Sequence, residues 1–154
     1  MELIQYLDED LIISALEAKD KESAIKEIVA KLAAKQEDLD EEALFTALME
    51  REKLSTTGIG GGVAVPHCKS DRVEDLTIIF ARSQAGVDFA ALDGKPCHLF
   101  FLLIAPVDSS SIHLKALAKI ARIAKDEGTR QGLLEREGPQ SLLQYLEEQE
   151  KKIS

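Results

Sequence analysis

Residues 97–106 read CHLFFLLIAP, and the reading of this run decides the fold. From Leu99 to Ala105 no polar side chain interrupts it, and it closes on Pro106, which cannot donate to a sheet ladder. A strand with one wet face alternates apolar and polar residues, whereas a strand covered on both faces is apolar throughout. The run is therefore expected as a central strand with packing on each side. LTIIFARS, at 76–83, has strand length as well and gives it a neighbour.

Further out the pattern changes period. LIISALEA at 11–18 reads as another strand, and Asp20 is expected to cap a helix running to about Ala34, with Ala24, Ile25, Ile28, Val29 and Leu32 on one face. A second helix is expected from Asp40 to Lys53. Glu41 and Glu42 suit its positive end, Arg51 and Lys53 its negative end, and Ala43, Leu44, Ala47 and Leu48 form its apolar stripe. Beyond the central strand, Ser109, Ser110 and Ser111 offer caps for a helix to about Lys125, with Ile112, Leu117, Ile120 and Ala124 inward. RQGLLER at 130–136 gives a short helix, and Pro139 opens a last one. Helices alternating with strands predict an α/β fold: one domain over residues 1–154, a sandwich with a central mixed β-sheet flanked by helices on both faces.

Composition narrows the function. The chain has 154 residues, 45% hydrophobic and 31% charged, and no repeat or Pro/Ser-rich linker divides it. A formal charge of −9 with scattered Lys and Arg argues against nucleic-acid binding, which needs clustered cations. No apolar run reaches membrane-span length, and MELIQYLDED lacks the basic start of a secretory leader, so a cytoplasmic protein without membrane insertion is expected. Cys68 and Cys97 are too few for a disulfide framework.

The chemistry concentrates in GIGGGVAVPHCK, residues 58–69. Its glycines fit neither a Walker loop nor G-x-G-x-x-G, and no G-x-S-x-G elbow is present, so neither a nucleotide site nor a serine hydrolase is expected. The histidines remain. Imidazole is mostly neutral near pH 7 and offers one nitrogen lone pair as nucleophile or base. His67 follows Pro66, which fixes its own φ and holds Val65 extended, while the upstream glycines allow a tight turn and leave room for a close partner. His113 falls in the first turn of an expected helix, where free N–H groups favour an anion. A turn role for His67 and a merely structural His113 stay open on spacing alone. His98, in the apolar run, reads as a packed residue. His67-Cys68, Cys97-His98 and His113 include zinc-ligand types, but neighbours on an extended chain point opposite ways, and no paired-ligand spacing appears, so no metal and no cofactor is expected.

Three stretches, ALMEREKLSTTGIGGGVAVPHCKSD (47–71), DFAALDGKPCHLFFLLIAP (88–106) and HLKALAKIARI (113–123), together resemble the type-2 IIA domains of the bacterial phosphoenolpyruvate-dependent sugar phosphotransferase system (PTS), the fructose/mannitol and nitrogen-regulatory group. The resemblance extends over most of the chain and implies the same α/β sandwich. It implies a phosphocarrier in which His67 accepts a phosphoryl group from the histidine of HPr or its nitrogen-branch counterpart NPr. Arg51, sixteen residues upstream, would neutralise phosphoryl charge and His113 would help position the group. Thr56 and Thr57 are expected as further hydrogen-bond donors. Cys68 stands where many relatives carry glycine; the family's acceptor cysteines belong to IIB domains, so Cys68 is not expected to take phosphate.

Two roles remain open within the resemblance. A nitrogen-regulatory IIA protein would take up phosphate to change which target proteins it binds, and a fructose/mannitol-type component would hand it to a IIB cysteine beside a membrane permease complex. A binding module with a vestigial site, which would not be phosphorylated at all, is the third class.

Overall fold

The computed structural model describes residues 1–153. After two short 3₁₀ turns come β1 (Ile12–Ile13), α1 (Lys21–Lys35), α2 (Glu41–Leu54), β2 (Gly58–Gly60), β3 (Val63–Ala64), β4 (His67–Ser70), β5 (Thr77–Val87) and β6 (Cys97–Pro106). The chain then continues through α3 (Ser110–Lys125), α4 (Glu127–Glu135) and α5 (Gly138–Ile153). The expected caps close both early helices: an Asp20 carboxylate oxygen accepts from the Ser23 N–H at 2.9 Å, and Asp40 accepts from Ala43 at 3.1 Å.

The strands form one mixed sheet in the order β1-β5-β6-β3-β2, with β4 also on β6 beyond β3. β5 runs antiparallel to β6, and β3 and β4 run parallel to it end to end along one side. The apolar run 97–106 is thus the centre of the sheet. Its alternation sorts it between two cores. Phe100, Leu102 and Ile104 join Ile25, Ile28, Leu32, Leu44 and Leu48 beneath α1 and α2. Leu99, Phe101 and Leu103 join Ala116, Ile120, Leu142 and Leu146 beneath α3 and α5. Both faces are covered by helices, as an uninterrupted apolar strand requires. Phe100 and Phe101 are almost wholly buried, one on each side, and truncation of either to alanine should cost about 3–5 kcal/mol.

Local expectations differ from the structure at several places. In α2 the buried side is Leu44, Leu48 and Glu52, with Ala43 exposed and Ala47 only partly covered, and β5 runs past Ser83 to Val87. LIISALEA contributes only Ile12–Ile13 to the sheet, because Arg82 Nε takes the Ser14 carbonyl at 3.1 Å and the chain bends away. Leu16 N still reaches the Arg82 carbonyl at 2.8 Å. Ser109 caps α3 by position but not by its side chain, which turns to Asp108. The short helix starts earlier than residue 130: Asp126 accepts from both the N–H and the hydroxyl of Thr129, each at 2.8 Å, and opens α4 at Glu127. On α3 the inward stripe is His113, Ala116, Ile120, Ile123 and Ala124, with Ile112 and Leu117 only partly covered.

Candidate functional site

The site begins with the register of β4. His67 lies opposite Leu103 and Lys69 opposite Ala105, so both share the sheet face of Leu103, under α3. Cys68 takes the other face and packs against the α1/α2 core. The Pro66 carbonyl accepts from Leu103 N at 3.0 Å, which fixes the chain immediately before the histidine. His67 is the first residue of a strand rather than a turn residue. Its Nδ1 stands 2.8 Å from the Val65 carbonyl oxygen. A carbonyl can only accept, so Nδ1 carries the proton and Nε2 keeps its lone pair.

α3 supplies the second imidazole. His113, in its first turn, is 8% exposed, and its ring meets that of His67 edge to face, with centroids 5.2 Å apart. His113 Nε2 is buried with no hydrogen-bond partner among the described residues. Burial, then the neighbouring His67 and Lys69, hold the His113 imidazolium below its usual pKa range, so this ring is neutral near pH 7.

Lys69 is the residue that the sequence reading missed. Its Nζ donates to Ser110 Oγ at 2.7 Å, placing an ammonium at the entrance of α3 and on the face of both histidines. The signal was present: two residues beyond His67 on an extended strand returns to the same side.

Arg51 closes α2 with Nη1 donating to the Ser55 carbonyl at 2.9 Å. The hydroxyls of Thr56 and Thr57 turn inward. Thr57 Oγ1 donates to Glu52, and Thr57 N donates to the same carboxylate at 3.0 Å. Thr56 Oγ1 donates to the Phe89 carbonyl at 3.2 Å and accepts from Lys21 Nζ, also at 3.2 Å. The structure therefore brings together His67, His113 and Lys69 directly, and places the threonines in a buried network behind them.

The glycines stand elsewhere. Gly60, Gly61 and Gly62 all have positive φ and make the tight turn of the β2–β3 hairpin. That turn lies beside His98, whose N–H donates to Gly62 O, five residues along β6 from the partner of His67. At about 3.3 Å per residue the separation is roughly 16 Å. The expectation that these glycines clear room around His67 gives way to a hairpin role. Burial pushes the Cys68 thiol up to about 12, which removes the thiolate a nucleophile would need. His98 Nδ1 lies 2.9 Å from the Ser83 carbonyl, between strands.

Residues 5–149 match the family model described as "Phosphoenolpyruvate-dependent sugar phosphotransferase system, EIIA 2". The nitrogen regulatory protein of Bradyrhizobium diazoefficiens is 42% identical over 127 residues, 82% of each chain. The fructose-specific EIIABC component of Bacillus subtilis is 35% identical over 151 residues, 98% of this chain but 24% of that longer one. Among solved structures, nitrogen regulatory protein IIA-Ntr of Neisseria meningitidis superposes with a TM-score of 0.87 at 30% identity, over 94% of this chain and 98% of that one. The chain belongs to the PTS EIIA type-2 family.

Proposed function

From that membership and the geometry of the histidine pair, we propose that the chain is a phosphocarrier in which His67 Nε2 accepts a phosphoryl group from a phosphohistidine of HPr or NPr. The observation that carries the reading is the Val65 carbonyl on His67 Nδ1, which commits the proton to one nitrogen and leaves the other as the nucleophile. As the Nε2 lone pair bonds to phosphorus, the donor's P–N bond breaks and its electron pair returns to the donor imidazole. Positive charge that builds on the His67 ring is met by the Val65 carbonyl oxygen at Nδ1.

Phosphoryl transfer asks a protein chiefly for alignment and charge stabilisation. In its Nε2–H tautomer His113 donates a hydrogen bond to a phosphoryl oxygen, and Lys69 supplies a cation that can leave Ser110 for the arriving anion. Arg51 would join them by releasing the Ser55 carbonyl. Thr56 and Thr57 act from behind, by holding the chain. An acidic chain of net charge −9 favours a donor whose own histidine is ringed by basic residues.

Of the two roles, the regulatory one is the better supported, by the 42% identical nitrogen regulatory relative and the 30% identical nitrogen regulatory structure. The transport role, with transfer onward to a IIB cysteine beside a permease, is supported by the fructose component that matches 98% of this chain. The test is incubation with phosphoenolpyruvate, enzyme I and HPr, or with the nitrogen-branch set, followed by intact mass and acid lability beside a His67→Ala control. One acid-labile phosphoryl group lost in the control supports the reading; full labelling of the control sinks it. Preference between the two donor sets separates the roles.

A further inference from the structure

Behind the site, Glu52 is a carboxylate only 6% exposed, one residue after Arg51 on the last turn of α2. It receives Lys21 Nζ at 2.9 Å and Thr57 N at 3.0 Å on one oxygen, and the Thr57 hydroxyl on the other. Lys21 is itself held, 4.7 Å above the Phe89 ring and 3.2 Å from Thr56 Oγ1. From Thr57 the hydrogen bonds continue toward the nucleophile: Val65 N donates to the Thr57 carbonyl at 3.0 Å, and the Val65 carbonyl receives His67 Nδ1 at 2.8 Å.

The geometry points to Glu52, held by Lys21, as a positioning residue for His67: through Thr57 and Val65 it sets the tautomer and the orientation of the ring. The route is mechanical. Pro66 has no N–H of its own, so between β3 and β4 the chain is held by Val65 N on the Thr57 carbonyl and by Leu103 N on the Pro66 carbonyl, and the first of these ties to Thr57 the residue whose carbonyl meets Nδ1. If Thr57 shifts, Val65 shifts, and the proton that Val65 holds on Nδ1 is free to move to Nε2, which quenches the nucleophile. The same carboxylate anchors the end of α2 from which Arg51 projects. A buried ion pair is weak evidence for stability alone, and one that fixes a reactive group has a reason to be kept. The part played by His67 as acceptor rests on the function proposed above; the control of its tautomer does not.

The experiment uses ¹⁵N-labelled full-length protein without any donor, reading the His67 ring nitrogens in long-range ¹H–¹⁵N spectra for the natural chain, Glu52→Gln, Lys21→Met and Lys21→Arg. Lys119→Met, which breaks a different buried ion pair at 2.9 Å to Glu150, is the control for general loosening. The expected result is a clean Nδ1–H tautomer in the natural chain and in Lys119→Met, mixed tautomers in Glu52→Gln and Lys21→Met, and recovery in Lys21→Arg. Phosphoryl acceptance should fall by about tenfold in the two mixed variants with the donor KM unchanged. Unchanged ring shifts in both variants, or an equal change in Lys119→Met, would overturn the assignment. Should Glu52→Gln fail to fold, the Lys21 pair carries the comparison. A natural chain that accepts no phosphoryl group from either donor set would refute the phosphocarrier reading while leaving the tautomer result to decide positioning.

Discussion

His67 and His113 meet edge to face, their ring planes 76° apart and their centroids separated by 5.2 Å. Nδ1 of His67 is taken by the Val65 carbonyl, which leaves its Nε2 open, and Nε2 of His113 is buried without a partner among the described residues. Two facing rings with unengaged nitrogens put imidazole polarity from a strand and from a helix on one spot.

That arrangement sets activity against stability at His113. Replacement by phenylalanine keeps the packing of α3 on the sheet and removes the orphan, so His113→Phe is expected to be as stable as the natural protein or more stable by about 1 kcal/mol. Phosphoryl acceptance should slow by about a hundredfold, the usual scale for loss of one charge-stabilising donor. Chemical denaturation with rapid-quench labelling measures both. A marked loss of stability would show that His113 is a structural residue, and unchanged kinetics would remove it from the site.

The pH dependence follows from the same residue. Burial lowers the folded-state pKa of His113 below the ordinary 6.5, so between the two values the unfolded chain binds the proton and the folded chain does not. The stabilising contribution is complete above pH 6.5, is lost as pH falls toward the folded value, and levels off below it. Urea midpoints taken across about pH 5 to 8 should show this decline in the natural protein and a shallower one in His113→Phe. Parallel profiles would exclude His113 as its source.

Lys69 should matter to transfer and little to folding. Its side chain is exposed and its hydrogen bond to Ser110 is on the surface, so Lys69→Met is expected to change stability by less than about 0.5 kcal/mol. Acceptance should slow by about tenfold as one cation leaves the phosphoryl site, with a weaker dependence of the rate on salt. Equal rates at low and high salt for both proteins would show that the ammonium plays no part.

What the sequence disclosed, it disclosed through local physics. The apolar run 97–106, the Asp20 and Asp40 caps and the α1 stripe depend on neighbours a few residues away, and each stands in the structure where it was expected. The pairing of His67 with His113 is a long-range fact, and spacing alone left both histidines ambiguous; the family resemblance was what joined them. Register explains most of the remainder. Lys69 reaches the site and Cys68 leaves it because β4 alternates against β6, and the inward turn of the Thr56 and Thr57 hydroxyls depends on Glu52 and Lys21 arriving from two different helices.

Cys68 tests the alternation directly. Its thiol is partly buried against the α1/α2 core and burial pushes it up to about 12, so at pH 8 it should be alkylated far more slowly in the folded protein than in the unfolded one. Cys68→Ala is expected to accept phosphate at the natural rate. Rapid modification of Cys68 in the folded state, read by mass, would place the side chain on the wrong face, and loss of acceptance in Cys68→Ala would give the thiol a part it cannot play from the core.

The glycines offer the sharpest separation of fold from chemistry. Gly61 has φ +65 and a Cβ there would stand 3.1 Å from Arg130 Nε, so Gly61→Ala forces a left-handed alanine against a guanidinium. A cost of about 1–2 kcal/mol is expected, and somewhat less for Gly61→Asn, since asparagine tolerates that conformation. Because the hairpin turn is roughly 16 Å from His67 along β6, by the same rise of about 3.3 Å per residue, neither variant should alter the rate of phosphoryl acceptance by folded protein. A phosphate cradle predicts the reverse: a rate that falls with each substitution even where stability holds. Denaturant midpoints and labelling rates on the same two variants decide between them, and the positive φ of three successive glycines at the hairpin, Gly60 to Gly62, argues for the turn.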